Sequence, residues 1–165
     1  MAWVAALRAA LGERVHTQPA ELAAVARDAS HVMGRPEALI YPETTEHVAA
    51  AVRIAREHGV HIALGTDYVE RGEHGRNLEE IWLMHEAGLT PEEALLAATI
   101  RGAELCGVAD RYGRIAPGYV FDAIALDQDP SDPSIFAEPG AVVSVFKGGD
   151  AVLPEPRLVD AGSLA

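Results

Sequence analysis

Apolar residues recur at helical spacing from the start of the chain. Trp3, Val4, Leu7 and Leu11 share one face, and Gly12 can stop the run. A second stripe, Leu22, Val25, Ala26 and Ala29, follows Pro19 and predicts another short helix, broken by Gly34-Arg35-Pro36. The apolar run 38–41 ends at Pro42 and predicts a buried strand. Thr44 is a good N-cap for a helix over 45–58, in which Val48, Ala51, Val52 and Ala55 recur up to Gly59. Val60–Leu64 is β-like and ends at Gly65-Thr66-Asp67. Strand, helix and strand within about 30 residues predict a βαβ unit. Strands 38–41 and 60–65 should then be parallel neighbours with a right-handed crossover, covered by Val48, Val52 and Ala55 of the helix.

Residues 68–76 read as a polar loop. Asn77 and Glu80 form a capping-box pattern, and Leu78, Ile81, Trp82 and His85 mark one face of the helix that Gly88 ends. Thr90-Pro91-Glu92-Glu93 starts the next helix, with a cap, a proline in the first turn and acids against the dipole; it runs through Leu95, Ala98 and Leu105 to Gly107. After Gly113 the period becomes two. Residues 119–127 and 141–147 predict strands, and Gly148-Gly149 a tight turn into 151–153. The fold class is α/β: a small βαβ-α-α unit, then a C-terminal antiparallel hairpin or meander. The chain divides into 1–59, 60–107, 108–153 and a loose tail, 154–165.

Length and charge narrow the function. A chain of 165 residues is too short for a self-contained eight-stranded α/β barrel, which needs roughly 200. Aromatic residues are 5%, so the core must be built from Ala, Val, Leu and Ile. The net charge of −12 argues against nucleic acid and membrane surface as partners. Residues 1–59 hold 6 basic and 7 acidic side chains, residues 60–165 hold 7 and 18, and all seven His precede residue 86. Such asymmetry hints at two origins. The single cysteine, Cys106, excludes an intrachain disulfide and fits a reducing compartment. With no signal-peptide core and no long apolar run, the sequence reads as soluble and cytoplasmic.

Asp67 is the main candidate for chemistry. A carboxylate at the C-terminal end of a parallel strand is where α/β folds keep reactive groups, and it could ligate a metal or take a proton; locally it also reads as a turn carboxylate. His74, in the following loop, is placed to join it as a second ligand, or to be a solvated loop histidine. His58 and His61 have neither the i,i+4 spacing of a helical metal pair nor the i,i+2 spacing of a strand pair. His58 reads instead as a cation at a helix C-terminus, His85 as a satisfied core or interface residue, and Cys106 as a buried inert thiol. The Glu79/Glu80 and Glu92/Glu93 pairs fit first helical turns. Asp122, Asp127, Asp129 and Asp132 lack the calcium-loop pattern, and no phosphate-cradling glycine loop is present.

Residues 60–153 resemble the C-terminal end of amidohydrolase-superfamily enzymes, especially their prolidase-like and imidazolonepropionase-like branches. The resemblance is carried by Val60–Asp67, by His74-Gly75-Arg76-Asn77-Leu78-Glu79-Glu80, by Glu86–Leu95 and Ala97-Ala98-Thr99, and by Gly113–Gly118, Asp122, Leu126-Asp127 and Asp129-Pro130. It implies that Asp67 is similar to the aspartate closing the eighth barrel strand, which binds metal and shuttles protons. Residues 78–106 would be the last barrel helices, and 119–153 strands of a small β-sandwich beside the barrel. Residues 4–60 are similar to the N-terminus of FAD-linked oxidases of the glycolate-oxidase and lactate-dehydrogenase type. That resemblance is carried by Leu7–Val15, Ala26–Ser30, Pro36, Pro42–Thr45 and Val48–Val60.

Both resemblances thin out at the chemistry. There is no His-x-His, and the only lysine, Lys147, lies in the C-terminal hairpin, where it cannot bridge two metals. The oxidase-like part lacks its pyrophosphate loop, so FAD is not expected to bind. Three readings follow. The first is a metal-dependent amidohydrolase, or part of one, acting on C–N bonds of dipeptides or cyclic amides, with Asp67 as base and with Asp67 and His74 holding zinc or manganese weakly. The second is a remnant of an FAD-dependent 2-hydroxy-acid oxidase. The third is a non-catalytic fold that self-associates. The chain is incomplete relative to both families and is not expected to be catalytically self-sufficient; if active, its partner is a small-molecule substrate, and a homo-oligomer is expected from exposed former barrel surfaces.

Overall fold

The computed structural model describes residues 1–27, 33–67, 75–137 and 139–153. His31, His74 and the tail 154–165 lie outside the described residues. The chain forms two compact units, Met1–His61 and Ile62–Ala165.

In the first unit, α1 (Ala2–Leu11) buries Leu7 and Leu11 and stops at Gly12, as its apolar stripe implies. A single turn leads into β1 (Val15–His16); α2 (Pro19–Ala24) follows with proline in its first turn. β2 (Leu39–Ile40) pairs antiparallel with β1, Val15 opposite Ile40. α3 (Thr45–Glu57) begins where Thr44 accepts a hydrogen bond from the His47 amide at 3.3 Å. It ends at Gly59, whose φ of 67° lets two amides turn back: Gly59 N to Arg56 O at 3.1 Å and Val60 N to Ala55 O at 2.8 Å. The core is Leu7, Leu11, Val15 and Ile54, flanked by Trp3, Ala6, Ala38, Ile40, Ala50 and Ala51.

Two expectations fail here. α3 carries two apolar stripes, and Ala50, Ala51 and Ile54 form the core-facing one, while Val48 is exposed. The helix packs on α1 rather than on a sheet, and Ile54 is its buried residue. Residues 60–65 form no strand, and among the described residues β2 pairs with β1 alone, so the expected parallel pair of 38–41 with 60–65 and its crossover do not form. A two-residue ladder offers too short an edge to template a further strand. The Leu64 amide instead donates to the Ala97 carbonyl at 3.0 Å.

In the second unit, α4 (Glu79–Glu86), α5 (Pro91–Ala98) and α6 (Ile100–Leu105) precede β3 (Ala123–Leu126), β4 (Val142–Lys147) and β5 (Asp150–Leu153). α4 ends at Gly88, with Gly88 N bonded to His85 O at 2.8 Å and Leu89 N to Met84 O at 3.1 Å, which brings Leu89 into the core. Thr90 then opens α5 with a complete capping box: Glu93 N reaches Thr90 Oγ1 at 3.2 Å, and Thr90 N reaches the Glu93 carboxylate at 2.8 Å. The single helix expected over 91–107 is broken at Thr99 (φ −126°, ψ −99°). The Thr99 hydroxyl back-bonds to the Leu95 carbonyl at 2.7 Å, an alternative that loosens a helix at β-branched threonine.

The C-terminal sheet is the expected antiparallel meander, in the order β3-β4-β5. Its first strand is shorter than the 119–127 read from period two. Gly148 and Gly149 have φ of 62° and 97°, the two positive values of a type I′ turn. Asp122 holds that turn from outside: its carboxylate accepts from the Gly148 amide at 2.8 Å and pairs with the Lys147 ammonium. Ser144, 1% exposed, lies on the covered side of β4.

Gly113 is the tightest backbone approach. A Cβ there would lie 2.7 Å from Ile100 Cα, at a φ of 92°. Gly113→Ala should therefore destabilise the fold by about 3 kcal/mol, from backbone strain and overpacking together. Thr90→Ala should cost about 1 kcal/mol through loss of the capping box. Urea unfolding midpoints of both variants against the parent check the order and the size of these effects.

Candidate functional site

Asp67 follows a segment anchored by the Leu64–Ala97 hydrogen bond. An unbroken helix would commit the Ala97 carbonyl to the amide of Arg101. With the break at Thr99 it takes the amide of Leu64, and this places 62–66 along the end of α5. Ala94 and Ala97 are fully buried on α5, the small side chains that let backbone approach it. Asp67 is exposed and has a φ of 47°, the left-handed region that aspartate tolerates better than most residues. Next to it, Thr66 Oγ1 accepts from Asn77 Nδ2 at 3.4 Å, and Asn77 Oδ1 accepts from the Gly75 amide at 3.2 Å.

This corrects the sequence reading of Asn77. The expected capping box with Glu80 is absent: Leu78 is the N-cap of α4 and makes no side-chain cap. The turn Gly75–Leu78 is closed by Glu79 N to Arg76 O at 2.9 Å, which leaves Asn77 before the helix with its carboxamide free to reach back. Asn77 Oδ1 accepts from the amide two residues before it, the reverse of an Asx turn, in which the side chain reaches two residues on.

The first turn of α4 carries two carboxylates in opposite environments. A hydrogen bond from Arg76, at 2.9 Å, holds the Glu79 carboxyl below the usual carboxylate range. Burial, then the Glu79 charge beside it, pushes Glu80 up. The Arg76–Glu79 pair borders a cleft of about 40 Å³, lined further by Gly75, Phe136, Gly140 and Ala141. That is room for a water rather than for a small-molecule substrate.

The other candidates take structural roles. His58 is the C-cap of α3. His85 Nδ1 donates to the Leu89 carbonyl at 2.8 Å, supporting the α4–α5 corner. Cys106, expected to be buried, is exposed: α6 stops at Leu105, and the thiol-bearing residue is its C-cap. Asp129 and Asp132 accept from the Ser131 and Ser134 amides at 2.9 and 3.0 Å; the Ser131 amide, then its hydroxyl, holds the Asp129 carboxyl low, and the Ser134 hydroxyl, then its amide, holds Asp132 low. Among the described residues, no group of three or more His, Cys, Asp and Glu comes together. His74, the second expected ligand, lies outside the described residues.

Comparison with known proteins gives this geometry a setting. The amidohydrolase family model matches residues 7–152. The ochratoxinase of Aspergillus niger is 41% identical over 93 residues, 55% of this chain and 19% of that enzyme. The imidazolonepropionase of Hahella chejuensis is 36% identical over 104 residues, 59% of this chain and 25% of the relative. A crystal structure of a Xaa-Pro dipeptidase with methionine bound in its active site superposes with a TM-score of 0.55 at 35% identity, over 63% of this chain and 25% of that one. The chain thus spans between a fifth and a quarter of these relatives. Residues 7–59 fall within the family match, and nothing in these comparisons speaks for a flavoenzyme. No helix among the described residues is long and apolar enough to cross a membrane.

The raised Glu80 carboxyl makes a pH prediction. Its contribution to stability is fully present below the ordinary glutamate range and is lost as pH rises through its raised value. Glu80→Gln should therefore stabilise the chain at neutral pH by at most about 0.5 kcal/mol, since the group is partly solvated, and the gain should vanish in acid. Thermal melts of parent and variant from pH 3 to 8 read the crossover.

Proposed function

Since the chain belongs to the amidohydrolase family, we propose that it corresponds to the catalytic-aspartate segment and C-terminal portion of a metal-dependent C–N hydrolase. In this reading Asp67 is the ligand and proton-transfer group, with His74 as a second ligand. The substrate class is dipeptides or cyclic amides; the Xaa-Pro dipeptidase and imidazolonepropionase similarities favour it. The observation that carries the reading is the pairing of the family match with an exposed Asp67 held out by a left-handed turn. In this reading the chain is not catalytically self-sufficient: among the described residues no three His, Cys, Asp or Glu come together, and a lone carboxylate competes poorly with water for a divalent ion.

A second reading, a non-catalytic fold that self-associates, is favoured by one observation: Leu105 and Ile115 are 78% and 77% exposed, and Ile124, Val143 and Val152 are exposed on the C-terminal sheet. Light scattering across protein concentration tests it, and a strictly monomeric chain removes it.

Isothermal titration of zinc and of manganese into parent and Asp67→Ala, beside a dipeptide hydrolysis assay, tests the main reading. Weak binding reduced several-fold in Asp67→Ala, with no turnover above background, is the expected result. Tight binding with measurable turnover, both lost in the variant, would overturn the claim that the chain needs more than itself. Binding indifferent to the substitution removes Asp67 from the site.

A further inference from the structure

This inference rests on the reading of Asp67 as the functional carboxylate. Asp67 is the described non-glycine residue with a positive φ, 47°. A side chain in that region is disfavoured, so neighbouring structure must hold it there. Upstream, the backbone is fixed by the Leu64 amide on the Ala97 carbonyl. The other fixed point is the turn before α4, closed by Glu79 N on Arg76 O and braced by the Arg76–Glu79 ion pair. Asn77 belongs to this second point, and its carboxamide reaches the residue next to Asp67.

The two ends of the carboxamide differ. Oδ1 is committed to the Gly75 amide, which leaves Nδ2 as the end that donates to Thr66 Oγ1. Neither aspartate nor a shorter side chain at this position can do both: aspartate keeps the acceptor and loses the donor. We propose that Asn77 is the positioning residue for Asp67, its carboxamide tying Thr66 Oγ1 to the Gly75 amide and so setting the left-handed turn that presents the Asp67 carboxylate. Both hydrogen bonds are exposed and individually modest, so Asn77 biases the conformation of Asp67 without holding up the fold.

The test is nuclear magnetic resonance on the full, isotopically labelled chain. It reads the amide-to-α coupling and the Cα and Cβ shifts of Asp67, beside the unfolding midpoint. The parent should show a left-handed Asp67. Asn77→Ala, Asn77→Asp and Thr66→Val should lose that signature in most of the population with the midpoint unchanged, and Thr66→Ser, which keeps the acceptor, should retain it. Zinc affinity should fall several-fold in Asn77→Ala. A left-handed Asp67 that survives in Asn77→Ala overturns the proposal, as does loss of the signature in Thr66→Ser. These outcomes are distinct from failure of the functional reading, which shows as zinc binding indifferent to Asp67→Ala while the coupling at Asp67 still responds to Asn77.

Discussion

The second unit turns on one backbone hydrogen bond, Leu64 N to Ala97 O. It exists because the helix that would have claimed the Ala97 carbonyl is interrupted at Thr99. The interruption has local causes, a β-branched residue whose hydroxyl prefers the Leu95 carbonyl, and a distant effect. It lets α6 turn so that Ile100 meets Gly113 at a distance no other residue type would permit. The same carbonyl secures the segment that ends at Asp67. One helix defect thus serves both the packing of the unit and the placement of its candidate carboxylate.

Local chemistry was legible in the chain wherever a motif closes on itself. Thr44, Thr90-Pro91-Glu92-Glu93, Gly59, Gly88 and the Gly148-Gly149 turn all act as their residue types dictate, because capping and tight turns are decided within a few residues. Features needing a distant partner were not legible. Val60–Leu64 has every mark of a buried strand, yet strand formation requires a neighbour to accept its ladder, and β propensity reports side-chain fit rather than partners. The α3 stripe read from the sequence, Val48, Ala51, Val52 and Ala55, shares Ala51 with the residues that face the core, and the packing partner, α1, brings in Ala50 and Ile54. Asn77 reads as a capping-box residue from its spacing to Glu80, and its reach to Thr66, eleven positions upstream, was not legible.

The carboxylates show why charge count alone misleads about function. Most of those named in the second unit are already engaged: Glu93 in a capping box, Asp122 on a hairpin, Asp129 and Asp132 on backbone amides, Glu79 on Arg76. Asp67 differs in standing exposed on a strained backbone. The superposition on the Xaa-Pro dipeptidase covers 63% of this chain and 25% of that one.

The Lys147–Asp122 pair over the C-terminal turn has a consequence of another kind. Lys147 is the sole lysine of the chain. Apart from the chain's own amino terminus, every amine-directed reaction therefore converges on this hairpin. Acylation of that one side chain would strip the cation from Asp122 while leaving its bond from the Gly148 amide in place. A dye, a surface-coupling reagent or an acetyl group would report on, and loosen, the same turn. Immobilisation through lysine would likewise fix every molecule in a single orientation, tethered at the end of β4.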